Sequence, residues 1–158
     1  MKKKKTGKIM KSTPVKNSEN SDMPPEYEID LRYPATLPSS LSERRRFELE
    51  FLDRNVFKGL KNLNDGFDAA GIKYFNSREF KIVLDRVEEL GLEIYGIEPW
   101  KDGEFFGVET FEDSGLSPTD PKWYRKAFEK FLAMDDDLQY AASYWIPEKY
   151  FVEINLLN

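Results

Sequence analysis

The segment EIYGIEPWKDGEFFGVETFED, residues 93–113, decides how this chain folds, because two apolar-rich runs flank the dipeptide Asp102-Gly103. Asp-Gly between such runs is a strong signal for a two-residue β-hairpin turn, in which both residues adopt positive φ. We therefore predict two antiparallel strands, one over residues 92–100 and one over residues 104–111.

The two-residue turn also fixes the register of this hairpin. It is expected to place Trp100 opposite Phe105 and Ile97 opposite Val108. Since successive side chains point to opposite faces of a strand, the hairpin then presents two different surfaces. The first predicted face carries Tyr95, Ile97, Pro99, Phe106 and Val108. The second predicted face carries Ile94, Glu98, Trp100, Phe105, Glu109 and Phe111.

The first face is nearly all apolar and is expected to meet helices, whereas the second mixes aromatic rings with carboxylates. An unpaired carboxylate is costly to bury, so one prediction is that the second face is open. The alternative is that an N-terminal helix covers it and that Arg44, Arg45 or Arg46 pair with its acids. A β-bulge near Gly96 or Pro99 would exchange the two faces, because one residue of slip reverses the alternation.

Two elements are predicted near the N-terminus of the folded region. EYEIDLRY (26–33) alternates apolar and charged residues, which is typical of a half-buried strand. The segment from Ser40 to Phe67 has apolar residues at three- and four-residue steps and predicts a long amphipathic helix, ending at Gly66 or Gly71.

A strand and a helix are predicted immediately before the hairpin. GIKYF (71–75) is a short strand, and Asn76 or Ser77 then caps a helix that stops at Gly91.

The elements after the hairpin complete an α+β pattern. Asp120-Pro121 predicts the start of a helix. LQYAASYWI (138–146) is predicted to be a last strand, and YFVEINLL (150–157) is predicted to be a further strand or a docked tail. From about 71 to 146 the order is β-α-β-β-α-β, which is the ferredoxin-like pattern of an antiparallel sheet with two helices on one face.

Charge is distributed unevenly along the chain. Residues 1–25 predict a disordered basic tail, and residues 26–158 a single α+β domain. Residues 1–16 carry seven lysines and no acid, whereas the remaining 142 residues carry 17 basic and 29 acidic side chains. An acidic body favours basic partners and disfavours nucleic acid, except through the lysine tail. The sequence predicts no membrane span and no signal peptide, so we expect a cytoplasmic protein.

The chain contains neither cysteine nor histidine. This excludes Ser-His-Asp and Cys-His catalysis, and also a zinc hydrolase site. No glycine-rich phosphate loop is present, and Asp135-Asp136-Asp137 lacks the spacing of a calcium loop. We predict no cofactor and no bound metal. An enzyme of this composition would have to use carboxylates, for example to hold Mg²⁺.

The hairpin is the candidate site, because acids and aromatic rings are concentrated there. Residues 85–113 hold ten acidic and two basic side chains. Aromatic anchors beside charges are typical of protein-binding patches. The predicted partner-binding residues are Glu98, Trp100, Asp102, Glu104, Phe105, Glu109, Glu112 and Asp113.

The function predicted from these features is non-catalytic binding of a basic protein, with inhibition of that protein as the sharper hypothesis. The composition is similar to that of small acidic immunity proteins, so a toxin or nuclease is the expected kind of partner. The alternatives are a carboxylate-based, metal-dependent enzyme and a nucleic-acid-binding domain that uses the lysine tail, since the RNA-recognition motif shares the same element order. Exposed aromatic residues also predict self-association as an alternative.

Overall fold

The computed structural model describes residues 41–151, so the predicted strand at 26–33, the basic tail and residues 152–157 lie outside the described residues. The helices are α1 (Leu41–Asn55), α2 (Ser77–Leu90), α3 (Phe111–Ser114) and α4 (Pro121–Met134). The strands are β1 (Phe75–Asn76), β2 (Glu93–Lys101), β3 (Glu104–Phe105), β4 (Glu109–Thr110) and β5 (Gln139–Trp145).

The strands form one antiparallel sheet in the order β1-β5-β2-β3, with β4 paired to another part of β2. Since β5 is antiparallel to both β1 and β2, these two strands run in the same direction with β5 between them. By the same reasoning, β3 and β5 run in the same direction on either side of β2. The predicted α+β class and antiparallel sheet are confirmed, whereas the ferredoxin-like order is not confirmed.

Helix α2 begins and ends where the sequence predicts, and α4 begins where it predicts. The side chain of Asn76 accepts a hydrogen bond from the N–H of Glu79 at 2.8 Å, and Gly91 ends α2 with φ at 64°. Asp120 caps α4 in the same way, accepting from the N–H of Lys122 at 2.9 Å. Each cap satisfies a backbone N–H that has no partner within the helix.

The core lies between this helix pair and one face of the sheet. The ring of Tyr140 on β5 stacks on Phe80 of α2 at 5.1 Å and meets Phe128 of α4 edge-on at 5.0 Å. All three side chains are buried. Across the outer side of the helix pair, the Arg125 guanidinium of α4 donates to Asp85 of α2 at 2.9 Å. The two helices therefore pack against each other on one face of the sheet.

Helix α1 ends at Asn55, so the predicted extension to Gly66 or Gly71 is wrong. After Asn55 the N–H groups of Val56 and Phe57 both bond to the carbonyl of Leu52, and Gly59 adopts a φ of 78°, so the regular helical pattern stops there. Residues 61–71, which we call the Asn64 loop, follow in the chain. The Asn64 amide donates to the carbonyl oxygens of Asp68, Ala69 and Ile72, and its oxygen accepts two backbone N–H groups. Asparagine side chains that bond the local backbone compete with helix formation, so the apolar periodicity does not produce a helix across residues 61–71.

Candidate protein-binding edge

The hairpin turn forms as predicted from the sequence. Asp102 and Gly103 adopt φ values of 51° and 78°. Trp100 pairs with Phe105 across the turn, which is the predicted register. The first part of the hairpin therefore follows the sequence prediction.

The register changes by one residue further from the turn. β4 pairs Gly96 with Thr110 and Ile97 with Glu109, where a regular hairpin would pair Ile97 with Val108. The second arm thus holds one extra residue between β3 and β4. An extra residue of this kind is a β-bulge, and it reverses which side chains face the core.

This bulge corrects the predicted faces. Val108 was expected to face the helices, but its side chain is 51% exposed. Glu109 was expected on the opposite face, but it forms an ion pair with Lys130 of α4. Gly107 lets the chain pass close to the helix, since a Cβ there would lie 3.3 Å from the ring of Phe131.

A second bulge changes which side chains of β2 face the core. β5 pairs with Ile94 and with Gly96 but skips Tyr95, which confirms the bulge considered near Gly96. Ile94 is therefore fully buried, and the prediction that it lies on the second face is wrong. Tyr95 instead packs its ring 5.5 Å from that of Phe111. Burial, together with a hydrogen bond donated to Glu93 at 2.6 Å, raises the pKa of Tyr95 to about 12.

Aromatic rings and carboxylates form a network that supports the Trp100 side chain. Its ring centroid lies 5.5 Å from that of Phe67 and 5.7 Å from that of Tyr74. The Trp100 indole N–H donates to Glu98, and the Tyr74 hydroxyl donates to Asp68 at 2.7 Å. Burial is the main cause that raises the pKa of Tyr74, and the two carboxylates add to it.

The Asn64 loop, rather than α1, covers this part of the second face. Phe67 and Asp68 both belong to that loop, and Phe67 also lies over Gly103 of the turn. Arg44, which was considered as a partner for the acids of this face, instead donates to Glu48 of its own helix at 3.0 Å. The carboxylate of Glu98 is thus accommodated by hydrogen-bond donors from aromatic side chains.

A set of exposed residues remains along the outer side of the hairpin and α3. We call it the hairpin edge, and it consists of Asp102, Glu104, Phe105, Val108 and Glu112. Phe105 is 56% exposed and rests edge-on against Trp100. Within residues 41–151, none of the three acids lies in an ion pair.

The other predicted site residues have internal partners. Glu98 and Trp100 belong to the network beneath Phe105, and Glu109 pairs with α4. Asp113 accepts hydrogen bonds from the Thr110 backbone N–H at 3.4 Å and from the Thr110 hydroxyl at 2.9 Å, and the first of these caps the start of α3. Sequence reasoning missed Val108 as an exposed residue, because the bulge that exposes it leaves no periodic signal.

A second group of acids lies near the turn. Lys101 forms an ion pair with Asp135, which raises the pKa of Lys101 and lowers that of Asp135, in each case mainly through their hydrogen bond. The neighbouring Asp136 and Asp137 side chains are exposed. Sequence reasoning treated this aspartate run separately from the hairpin, because only the pairing of β2 with β5 brings the two together.

The described residues place limits on other kinds of site. Among residues 41–151, no group of three acidic side chains is arranged to hold a metal ion. None of the helices in the same part of the chain has the length and apolar character needed to cross a bilayer. Comparison with protein-family models, with curated proteins and with solved structures finds no match.

Proposed function

We propose that this chain is a non-catalytic protein-binding domain, that its hairpin edge contacts a basic protein, and that binding blocks that protein as an inhibitor or immunity protein does. The observation that supports the proposal most directly is the exposure of two apolar side chains, Phe105 and Val108, together with three acids that have no ion-pair partner within residues 41–151.

The apolar pair supplies contact area. More than half of the Phe105 side chain is accessible, and complete burial of a phenylalanine is worth about 1.5–3 kcal/mol, so a partner that covers it gains roughly 1–1.5 kcal/mol. The ring is also restricted by its contact with Trp100, so it loses less rotamer freedom on binding than a free side chain. Phe105 therefore has the character of an anchor residue.

The acids supply charge complementarity. Asp102, Glu104 and Glu112 are exposed on the same hairpin and following helix as Phe105 and Val108. Asp136 and Asp137 come directly after Asp135, which pairs with Lys101 beside the turn. Opposite charges at an interface raise the association rate and suppress wrong partners more than they raise affinity. A basic surface with an apolar pocket is the complementary partner.

The partner is expected to bind through side chains rather than by adding a strand to the sheet. β3 and β4 are each two residues long, and the bulge interrupts the row of backbone groups between them. Short strands, bulges and charges all protect a sheet edge from strand addition.

The experiment is affinity capture from lysate of the source organism at low and at high salt. The wild type is compared with Phe105→Ala and with the triple change Asp102→Asn, Glu104→Gln and Glu112→Gln. The proposal expects a basic protein that the wild type retains at low salt and that both variants lose.

Two matched controls keep the result specific. Trp145→Ala removes another partly exposed aromatic ring. Trp145 lies far from the hairpin turn, because it is six residues along β5 from Gln139, which pairs with Trp100. Glu89→Gln removes an exposed charge on α2. Capture that all variants share, or that is lost equally with the controls, contradicts the proposal. Retention of nucleic acid that requires residues 1–16 would favour the nucleic-acid alternative.

A further inference from the structure

A groove beside β5 has none of the hairpin-edge residues in its lining, although Tyr74 and Glu98 of the network around Trp100 contribute to it. β1 pairs with β5 only at Phe75 and Asn76, opposite Tyr140 and Gln139. The chain before β1 bends away because the backbone of Tyr74 bonds to the Asn64 loop: its N–H donates to Asn62 at 3.1 Å, and its carbonyl accepts from Leu63 at 2.8 Å. Within residues 41–151, the outer edge of β5 beyond Tyr140 therefore has no strand beside it.

Helix α1 lies across the gap and turns this edge into a groove of about 200 Å³. Its α1 wall is formed by Arg45, Leu49 and Leu52, and its other walls by residues 71–74 and 141–144. Phe57 and Ile72 add to the apolar lining, while two cations, Arg45 and Lys73, and one carboxylate, Glu98, stand among the apolar groups.

We propose that residues 26–33 of this same chain occupy the groove as an added strand along the outer edge of β5. The segment EYEIDLRY places Tyr27, Ile29, Leu31 and Tyr33 on one side, which matches the apolar lining. Its charged residues Glu26, Glu28, Asp30 and Arg32 fall on the opposite side of the strand, where they stay in contact with water. A strand there pairs the backbone groups that β1 leaves open.

The length of the connection permits this docking. Residues 34–40 separate the segment from α1, and seven extended residues span up to about 23–25 Å. From Leu41 to Leu52 the helix rises roughly 16 Å. The tether therefore reaches every part of the groove from the start of α1. A local segment held at high effective concentration also competes well against outside strands.

Cysteine cross-linking tests the proposal, because the chain contains no native cysteine. Leu49→Cys provides one thiol in the groove, and the second is placed at Ile29 or Leu31. The matched controls place the second thiol at Glu28 or Asp30. Ser143→Cys, at an exposed position that also lines the groove, replaces Leu49→Cys if that substitution disturbs folding. Full-length chains are oxidised, and the products are identified by intact mass.

The expected result is an intramolecular disulfide that forms at least about tenfold faster from positions 29 and 31 than from positions 28 and 30, because only alternate side chains of a strand enter the groove. Equal rates at the four positions, or no monomeric disulfide at 29 and 31, would overturn the proposal. Cross-linked dimers would overturn it as well, since the occupant would then be a second copy.

Amide hydrogen exchange gives a second, independent readout on the full-length chain. Ile29→Asp combined with Leu31→Asp should speed exchange of the outward-facing amides of residues 141–145 by about tenfold or more, with little change in β2. Exchange at 141–145 that is the same in the wild type and in this variant refutes the added strand. Neither test depends on the proposed function of the hairpin edge.

Discussion

Replacing Asn64 with alanine should release the loop that supports the candidate site. The Asn64 amide donates to the carbonyl oxygens of Asp68, Ala69 and Ile72 at 3.2, 3.0 and 2.8 Å. Its oxygen accepts from the N–H groups of Gly66 and Asp68 at 3.1 and 3.3 Å. One amide has two N–H groups, so about four hydrogen bonds can be satisfied at once.

These bonds lie near the surface, so each is worth about 0.5 kcal/mol, at the low end of the usual range. The expected loss in the free energy of unfolding is therefore about 2 kcal/mol. Urea unfolding followed by circular dichroism measures it, and the midpoint should fall by about 1 M. Because Phe67 leaves Trp100 when the loop opens, tryptophan emission should also shift to longer wavelength, and a Trp100→Phe background should abolish that shift.

Asp65→Ala is the matched control, since Asp65 is exposed in the same loop and has no side-chain hydrogen bond among the described residues. It should change the free energy of unfolding by no more than about 0.5 kcal/mol. If Asn64→Ala and Asp65→Ala unfold at the same urea concentration, the Asn64 side chain does not hold the loop, and the account of why residues 61–71 form no helix is refuted.

Four further substitutions test other parts of the structure. Phe105→Ala should leave the urea midpoint nearly unchanged, whereas Trp100→Ala should lower the free energy of unfolding by about 3 kcal/mol. Equal losses in the two variants would contradict the assignment of Phe105 as an exposed residue and of Trp100 as the residue that supports it. Tyr140→Phe should be neutral or stabilising below pH 10, because the buried Tyr140 hydroxyl has no hydrogen-bond partner among the described residues. Burial raises the pKa of Tyr140 from 10.0 to about 12, so the folded state holds the phenol proton more tightly than the unfolded state. This contribution to the free energy of unfolding is complete below pH 10 and is lost as the pH rises through about 12. The free energy of unfolding should therefore fall less across that pH range in Tyr140→Phe than in the wild type. Gly107→Ala should lower the free energy of unfolding by about 1 kcal/mol, because the added Cβ would contact the ring of Phe131. An unchanged thermal midpoint would show that α4 can shift to accommodate the added methyl group.

Local signals in the sequence identified most element boundaries. Asn76, Gly91 and Asp120 each stand where the backbone needs a cap, and Asp102-Gly103 adopts the positive φ values that its turn requires. These residues act on their own neighbours, so their effect can be read without knowledge of the rest of the fold.

The predicted faces of the hairpin failed because they depended on counting residues over a distance. One extra residue between β3 and β4 exchanged Val108 with Glu109, and the skipped Tyr95 moved Ile94 into the core. Each bulge is stabilised by distant parts of the chain, through Lys130 and Phe131 of α4 in one case and the pairing with β5 in the other. Nothing within the hairpin sequence encodes those contacts.

The same long-range dependence governs the pairing order of the strands. The partners across β2 and β5 are 39 to 52 residues apart in the chain, and β1 joins the sheet only through β5. Bringing such distant segments together is slow because the intervening loop must close first. On a translating ribosome, β1, α2 and the hairpin emerge before β5 and have no complete sheet to join. We therefore expect the chain to fold after β5 has emerged, and among the described strands only the hairpin can pair earlier.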